Sequence, residues 1–460
     1  AEVDTDIPDR KKDGYGLNED LVKRAYDAGI DTIVTCDNGI AAVKEIAYAK
    51  SLGMTVIITD HHELQEEIPP ADVVVNPHQK DCPYPYKNLC GAGVAWKLVS
   101  ALWEQLRVPE QELYEDLLLF AGFATVGDVM DLTGENRILV KEALKLLKTT
   151  SHPGISALIE VNEISRETIS AFHIGFVLGP CINASGRLDT AKRALELLKT
   201  TDYEKALVRA AELKALNDER KSMTDDGVQQ ALDQIENSDM KRDRVLVIYL
   251  PDCHESLAGI IAGRIRERYY RPVFVLTRSQ DGVKGSGRSI ETYSMFEEMS
   301  KCKELYTKYG GHPMAAGVSM PEEYVEKFRK RLNELCTLTE KDLTEVVRID
   351  IAMPFSYVSE RLVEELSLLE PFGKGNSKPV FAAKGVQVLE TRVLGKNQNV
   401  LRLKLKDESG TTMDGIYFSD QMNEVLKTMQ QKPRLAFLYY PEINEFRGQR
   451  TLQLRILDYC

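Results

Sequence analysis

Two short stretches of this sequence carry residues able to do metal chemistry. Asp37 stands in TCDNGI (35–40), and Asp60, His61 and His62 stand together in VIITDHHE (56–63). The chain has only seven histidines, and two of them are adjacent here. A carboxylate combined with imidazoles suits Mn2+ or a similar divalent ion, whereas oxygen-only sets favour Mg2+ or Ca2+. Taken alone, Asp60 would cap a turn and the histidines would be surface residues. A second acidic loop beside them shifts the balance toward a metal site. Asp128, in ATVGDV (124–129), follows a strongly apolar helical stretch, where an unpaired carboxylate is costly unless ligated or hydrogen-bonded. Helix termination explains Asp128 equally well.

Other candidates bear on anions. INASGRLD (182–189) sets Asn183, Ser185 and Arg187 around a glycine, and a guanidinium matches phosphate oxygens bidentately. KGSGRS (284–289) combines Ser286 and Arg288 with glycines whose N–H groups are expected to form an anion nest. YGGHPMAAG (309–317) offers His312 on a glycine turn. Each is weak alone, because Gly-Arg turns and loop histidines are common.

The elements around these residues read as two α/β units and a β module. DTIVT (31–35), MTVIIT (54–59) and DVVVN (72–76) are short β-branched runs, with an amphipathic helix over 41–53. Together they predict a parallel sheet covered on both faces, with ligands at the carboxyl ends of its strands. That geometry brings Asp37 and His61 to one place. From Gln111 to about Leu198 the pattern is mainly helical. Residues 202–236, charged and without proline, predict a long helix bridging two globular units. A strand over 244–250, a helix over 256–270 and a strand over 272–277 form a second α/β unit. After about Val346 the texture becomes all-β, fitting a small barrel or sandwich. In VLRLKLKD (400–407), Leu401, Leu403 and Leu405 face one way, and Arg402, Lys404 and Lys406 the other.

The net charge of −12 argues against a globally basic nucleic-acid binder. Its distribution is uneven: residues 372–460 hold 14 Lys and Arg against 9 Asp and Glu, so a basic module ends an acidic body. No apolar run is long enough to cross a membrane, and the eight scattered cysteines form no C-x-x-C. The opening segment lacks a signal-peptide core, so reduced thiols in a cytoplasm are expected.

TCDNGI, VIITDHHE, ATVGDV, INASGRLD, GSGRS and YGGHPMAAG occur in the order seen in the DHH phosphoesterase superfamily, and the chain resembles its RecJ family of single-strand-specific DNA exonucleases. NPHQKDCPYPYKNLCGAGVAWKL (76–98) and EPFGKGNSKPVF (370–381) add to the resemblance, which covers nearly the whole chain. It implies a DHH domain over 1–198, a linker helix over 199–240, a DHHA1 domain over 241–345 and an OB-like fold over 346–460. It implies Asp37 as a carboxylate bridging two metals, His61 and Asp128 as ligands of one of them, and His62 beside the scissile phosphate or attacking water. Arg187, Ser286, Arg288 and His312 match residues that hold the DNA phosphates and the 5′ end, with Asn183 a further candidate for substrate binding; His254, in CHESLAG (253–259), matches a histidine facing the same cleft.

The reaction implied is hydrolysis of single-stranded DNA from its 5′ end to mononucleotides, in repair and recombination, with Mn2+ foremost and Mg2+ as the alternative. Single-stranded DNA is the implied partner, with a single-strand-binding protein or a RecQ-type helicase beside it. Cationic strand 400–407 and Tyr417, Phe418, Tyr439 and Tyr440 would hold the strand by phosphate contact and stacking; the plain reading of those aromatics is barrel core. The family's first, Asp-rich motif is expected ahead of DTDIPDRKKDGYGL and is not found in this sequence, so the chain as given is expected to be a poor nuclease. Two other readings are a phosphodiesterase for short oligonucleotides or cyclic dinucleotides, against which the terminal β module argues, and a non-catalytic DNA-binding accessory protein.

Overall fold

A computed structural model describes residues 2–8, 16–107, 109, 111–395, 397–419, 421–446 and 448–460. Residues 9–15, within the stretch read as following the first motif, lie outside them. The chain forms two compact units: Ala1–Gln79 with Leu147–Val346, and Lys80–Leu146 with Val347–Cys460. No helix of the described residues is long and apolar enough to cross a membrane.

In the first unit, β1 (Thr32–Cys36), β2 (Thr55–Thr59) and β3 (Val73–Val75) form a parallel sheet in the order β1-β2-β3. Helix Val43–Ser51 makes the crossover, and its Ile46 and Ala49 bury against Val22, Met54, Val56 and Ile58. Cover is uneven, unlike the two-sided burial that the sequence predicts. The row Thr35–Ile58–Val74 faces inward, whereas Val34 and Val73, paired across Ile57 on the opposite face, remain 58% and 47% exposed. Period-two alternation sends the two rows to opposite faces.

The second sheet of this unit contains β4 (Leu246–Tyr249), β5 (Val273–Ser279), β6 (Gly282–Arg288), β7 (Lys308–His312) and β8 (Ala315–Met320), in the order β4-β5-β6-β8-β7. β4 and β5 are parallel and the other pairs antiparallel. The 34-residue helix Tyr203–Glu236 begins on an Asp202 side-chain cap and spans about 50 Å at 1.5 Å per residue. Its first half packs on helices Pro153–Val161 and Gly179–Leu188. Its last turns bury Ala231, Leu232 and Ile235 against β4, β5 and helix Ala258–Tyr269. It therefore runs from helices Pro153–Val161 and Gly179–Leu188 to the second sheet as one unbroken helix, the length that its uninterrupted charged periodicity predicts.

In the second unit, helices Gly91–Leu106 and Gln111–Gly127 accompany β9 (Ile351–Ala352), β10 (Phe381–Leu394), β11 (Val400–Lys406), β12 (Thr412–Phe418), β13 (Leu435–Phe446) and β14 (Gln449–Tyr459). The order β11-β12-β14-β13-β10, with β10 also paired to β11, closes a five-stranded barrel, and β12 and β14 run parallel. Leu401, Leu403 and Leu405 are buried while Arg402, Lys404 and Lys406 are exposed, as the strict alternation requires.

Candidate metal centre and anion cluster

Backbone hydrogen bonds carry the β1–β2–β3 ladders one residue past β1 and one past β2. The Asp37 N–H donates to Thr59 O at 3.0 Å, and the Asp60 N–H to Val75 O at 3.1 Å. The chain then turns sharply. Asp37 adopts φ +62°, which an aspartate tolerates better than most residues, and Gly39 adopts φ +109°. A side chain at Gly39 would put its Cβ 2.9 Å from Thr35 Oγ1 and 3.3 Å from Ile58 Cγ2. Only glycine lets this loop fold back over the strand ends.

One ligand atom each from Asp37, His61 and His62 lies within 4.8 Å of the others, the only such group of three or more among the described residues. His61 Nε2 and Asp37 Oδ1 are 3.1 Å apart; the imidazole is 11% exposed and the carboxylate 54%, so the group opens to solvent on one side. His62 is held differently, its Nδ1 lying 2.7 Å from Asp60 Oδ1. An Nδ1–H donated to that carboxylate leaves Nε2 for a ligand, the arrangement by which carboxylates orient metal-site histidines.

Asp60 is a residue whose role the sequence does not separate from a turn cap. It is 1% exposed, accepts N–H bonds from Ile40, His61 and His62, and grips the His62 ring as well. Burial raises its pKa, yet these hydrogen bonds, that from Ile40 first, outweigh burial and hold the carboxyl below its ordinary range. It both caps the turn and aims the ring. Asn76, also buried, donates to His62 O at 2.9 Å and accepts from the His78 N–H at 2.8 Å, tying β3 to the same loop. A divalent cation fits this set by the chemistry of its donors, and the buried Asn38 Oδ1 in the same loop has no partner of its own.

Asp128 belongs to the second unit. It follows helix Gln111–Gly127, its N–H donates to Ala124 O at 2.8 Å, and its side chain is exposed. Val129 beside it takes φ +56°, a strained position for a β-branched residue. The next residues are clamped by EPFGKGN (370–376). Leu132 N–H donates to Lys374 O at 2.7 Å, Lys374 pairs with Asp131 at 3.3 Å, and Arg137 donates to the Leu368 and Glu370 carbonyls. A Cβ at Gly373 would meet Leu132 at 2.7 Å, so the close approach needs that glycine.

A second cluster gathers at the start of helix Ala258–Tyr269. Arg187 Nη1 donates to Ser256 O at 3.1 Å. His254 Nδ1 lies 2.7 Å from Ser256 Oγ and accepts the Ser256 N–H, which puts the ring proton on Nε2 as a donor. Ser286 and Arg288 share one face of β6 and lie over Gly259, where an added Cβ would stand 2.8 Å from Arg288 Nη2 and 3.4 Å from Ser286 Cβ. Burial first, then Arg266, lowers the Arg288 pKa, and among the described residues no acidic side chain pairs with it. A half-buried cation at a helix start is chemistry suited to an anion. His312 falls in the same cross-strand row, through Ala315 of β8.

Three readings of local geometry need correction. INASGRLD is not a turn around a glycine but lies within helix Gly179–Leu188 apart from Asp189, with Asn183 exposed one turn before Arg187. The glycines of KGSGRS form no nest, because β6 pairs on both edges and its backbone groups serve the ladders with β5 and β8. His312 ends β7 rather than sitting on a glycine turn; Pro313 and Met314 make the two-residue connection to Ala315. Of the four barrel aromatics, Tyr439 and Tyr440 are buried and Tyr417 packs on the core. Phe418 alone is 43% exposed, with the Arg455 guanidinium 3.8 Å from its ring centre.

Residues 1–122 match the DHH family N-terminal domain, 242–338 the DHHA1 domain and 349–458 the RecJ OB domain. The chain is 35% identical over its whole length to the single-stranded-DNA-specific exonuclease RecJ of Bacillus subtilis, of which it spans 57%. It is 36% identical to that of Salmonella typhimurium over 98% of its own residues and 81% of the relative. Among solved structures, RecJ of Thermus thermophilus in complex with Mn2+ superposes with a TM-score of 0.81 and 30% identity, covering 96% of this chain and 63% of that one. The ordered motifs, the domains they fall in and the shared fold agree: the chain belongs to the RecJ family of the DHH phosphoesterases.

Proposed function

We propose that this chain is the core of a metal-dependent exonuclease that hydrolyses single-stranded DNA from its 5′ end to mononucleotides, in DNA repair and recombination in the cytoplasm. The observation that carries this reading is the meeting of Asp37 and His61, 3.1 Å apart, just past two adjacent parallel strands in a chain of the RecJ family. Asp37, His61 and, on the family resemblance, Asp128 would hold a divalent ion. Mn2+ is the first choice and Mg2+ the second, since RecJ structures from Thermus thermophilus contain one or the other. A bound cation of this kind lowers the pKa of water and offsets charge on phosphate oxygens.

The chain's own groups divide the remaining work. Asp60 fixes the His62 ring, whose Nε2 is then available to the attacking water or the scissile phosphate. Arg187, Ser286, Arg288 and the His254 Nε2–H supply donors for phosphates, with Asn183 and His312 as further contacts. Residues 1–198 would form the catalytic domain, 199–240 the linker, 241–345 the substrate-binding domain and 346–460 the strand-holding domain. In the last, Arg402, Lys404 and Lys406 offer a cationic face, and Phe418 an aromatic one. Single-stranded DNA is the primary partner; a single-strand-binding protein or a RecQ-type helicase would act beside it.

Calorimetric titration of Mn2+ into the chain and into Asp37→Ala tests the metal reading. Binding by the first and none by the second is expected, and identical isotherms refute it. Digestion of a 5′-labelled single strand, compared with a cyclic dinucleotide, tests the substrate; faster turnover of the dinucleotide would overturn the exonuclease reading.

A further inference from the structure

Helix Gly179–Leu188 continues backward through a π turn, Ile174–Leu178, into Ala171–His173, giving an unbroken helical segment from 171 to 188. Ala171, Ile174, Leu178, Cys181, Ala184 and Ser185 are buried, which fixes the inner face. On the outer face lie Phe172, 60% exposed, and Phe176, 68% exposed. Their rings are stacked, with centroids 5.0 Å apart and planes inclined by 24°. Two phenylalanines stacked on each other in water, with a π face still open, are an unusual use of exposed surface. The π turn depends on a specific residue: the Gly179 N–H donates to Ile174 O, and a Cβ at Gly179 would stand 2.7 Å from that oxygen. Such turns recur at functional sites.

The same face leads to the anion cluster. At about 100° per residue, Asn183 and Arg187 follow Phe176 within roughly 50° of its direction, and Arg187 lies about 16 Å farther along the axis. Arg187 reaches Ser256, beside His254. One helix thus carries an apolar π surface at one end and a guanidinium at the other, which matches the alternation of bases and phosphates in a nucleic-acid strand.

We infer that Phe172 and Phe176 form a base-stacking platform that holds unpaired nucleotides several positions away from those held at Arg187. This inference rests on the functional reading above and adds a subsite to it. The occupant is the nucleobases of a single strand, because the aromatic pair stands on the same helix face as the phosphate-type donors, and Phe172 and Phe176 are the exposed apolar side chains of this segment.

The test measures binding of 3′-fluorescein-labelled dT12, and of a 12-mer with abasic sites throughout, by anisotropy in EDTA so that no hydrolysis occurs. A Phe172→Ala/Phe176→Ala variant, checked for folding by circular dichroism, should bind dT12 about 5- to 100-fold more weakly, given the usual effect of removing one stacking contact. It should bind the abasic strand as the unsubstituted chain does. Phe176→Trp should keep dT12 affinity and show fluorescence quenched on binding. Unchanged dT12 affinity in the double variant, with binding weakened by Arg187→Ala, overturns the platform while leaving the functional reading intact and points to a protein partner for the pair. Equal losses for dT12 and the abasic strand overturn it too, by showing a merely structural role. If the unsubstituted chain binds no single strand even at low salt, the functional reading fails and the platform with it.

Discussion

The three-stranded parallel sheet and the terminal barrel use strands in opposite ways. In the sheet, the strands are supports, and the chemistry-bearing side chains stand just past the last ladder bond, at Asp37 and at Asp60 to His62. In the barrel, the strand itself is the surface that the proposed function assigns to DNA, with exposed Arg402, Lys404 and Lys406 alternating with buried leucines. The first arrangement places few atoms with high definition, as catalysis requires. The second spreads charge evenly along a line, as holding a polymer of variable sequence requires. Damage should therefore be abrupt in the sheet loops and graded on the barrel.

The largest expected effect is Asp37→Ala, which should lower Mn2+-dependent digestion by more than about 100-fold, because a bound cation supplies several kcal/mol to the transition state; single-turnover rates measure it. Next comes Asp60→Asn, which keeps the shape but weakens the grip on His62, with an expected 10- to 100-fold loss of Mn2+-dependent rate in the same assay. The same variant carries a pH signature. The folded Asp60 carboxyl lies below its ordinary value of 3.8, so its stabilising contribution is complete above about pH 4 and is lost as pH falls through the lower folded value. Denaturation of the parent should steepen below pH 4, and Asp60→Asn should flatten that limb. Gly39→Ala, strained at φ +109° and crowded by Thr35, should cost about 1–3 kcal/mol in chemical denaturation. The smallest change is expected from Lys404→Gln, with binding to dT12 weakened about equally across sequences and the slope of log K against log salt reduced by about 0.7. An abrupt loss of binding from that single change would erase the contrast between the two regions.

The same contrast explains what could be read before folding. Strands with a strict period, such as 400–406, declare both faces, because side-chain direction follows from position alone. Asp37 and His61 were legible because β-branched runs end immediately before them. The row Thr35–Ile58–Val74 and its exposed counterpart were not, since continuous apolar runs hide which face is covered. Glycine misled in three places. In 182–189 it sits inside a helix, in 284–289 it permits close packing of β6 on Leu276 and Met295, and in 309–317 it belongs to a strand. The work of EPFGKGN, bonding to residues 131–137, depends on contacts more than 200 positions apart, which no local pattern reports. Asp60 shows a different limit: a buried acid aiming an imidazole and an acid capping a turn use the same letter in the same place.

The two-residue connection Pro313–Met314 fixes more than a hairpin. Because His312, Ala315 and Arg288 share one row, a single inserted residue in that connection would displace His312 by about 3.3 Å and turn it to the other side of the sheet. A replacement at 288, 312 or 315 thus alters one side chain and leaves the row in register, whereas lengthening the bend alters the register that lines the three up.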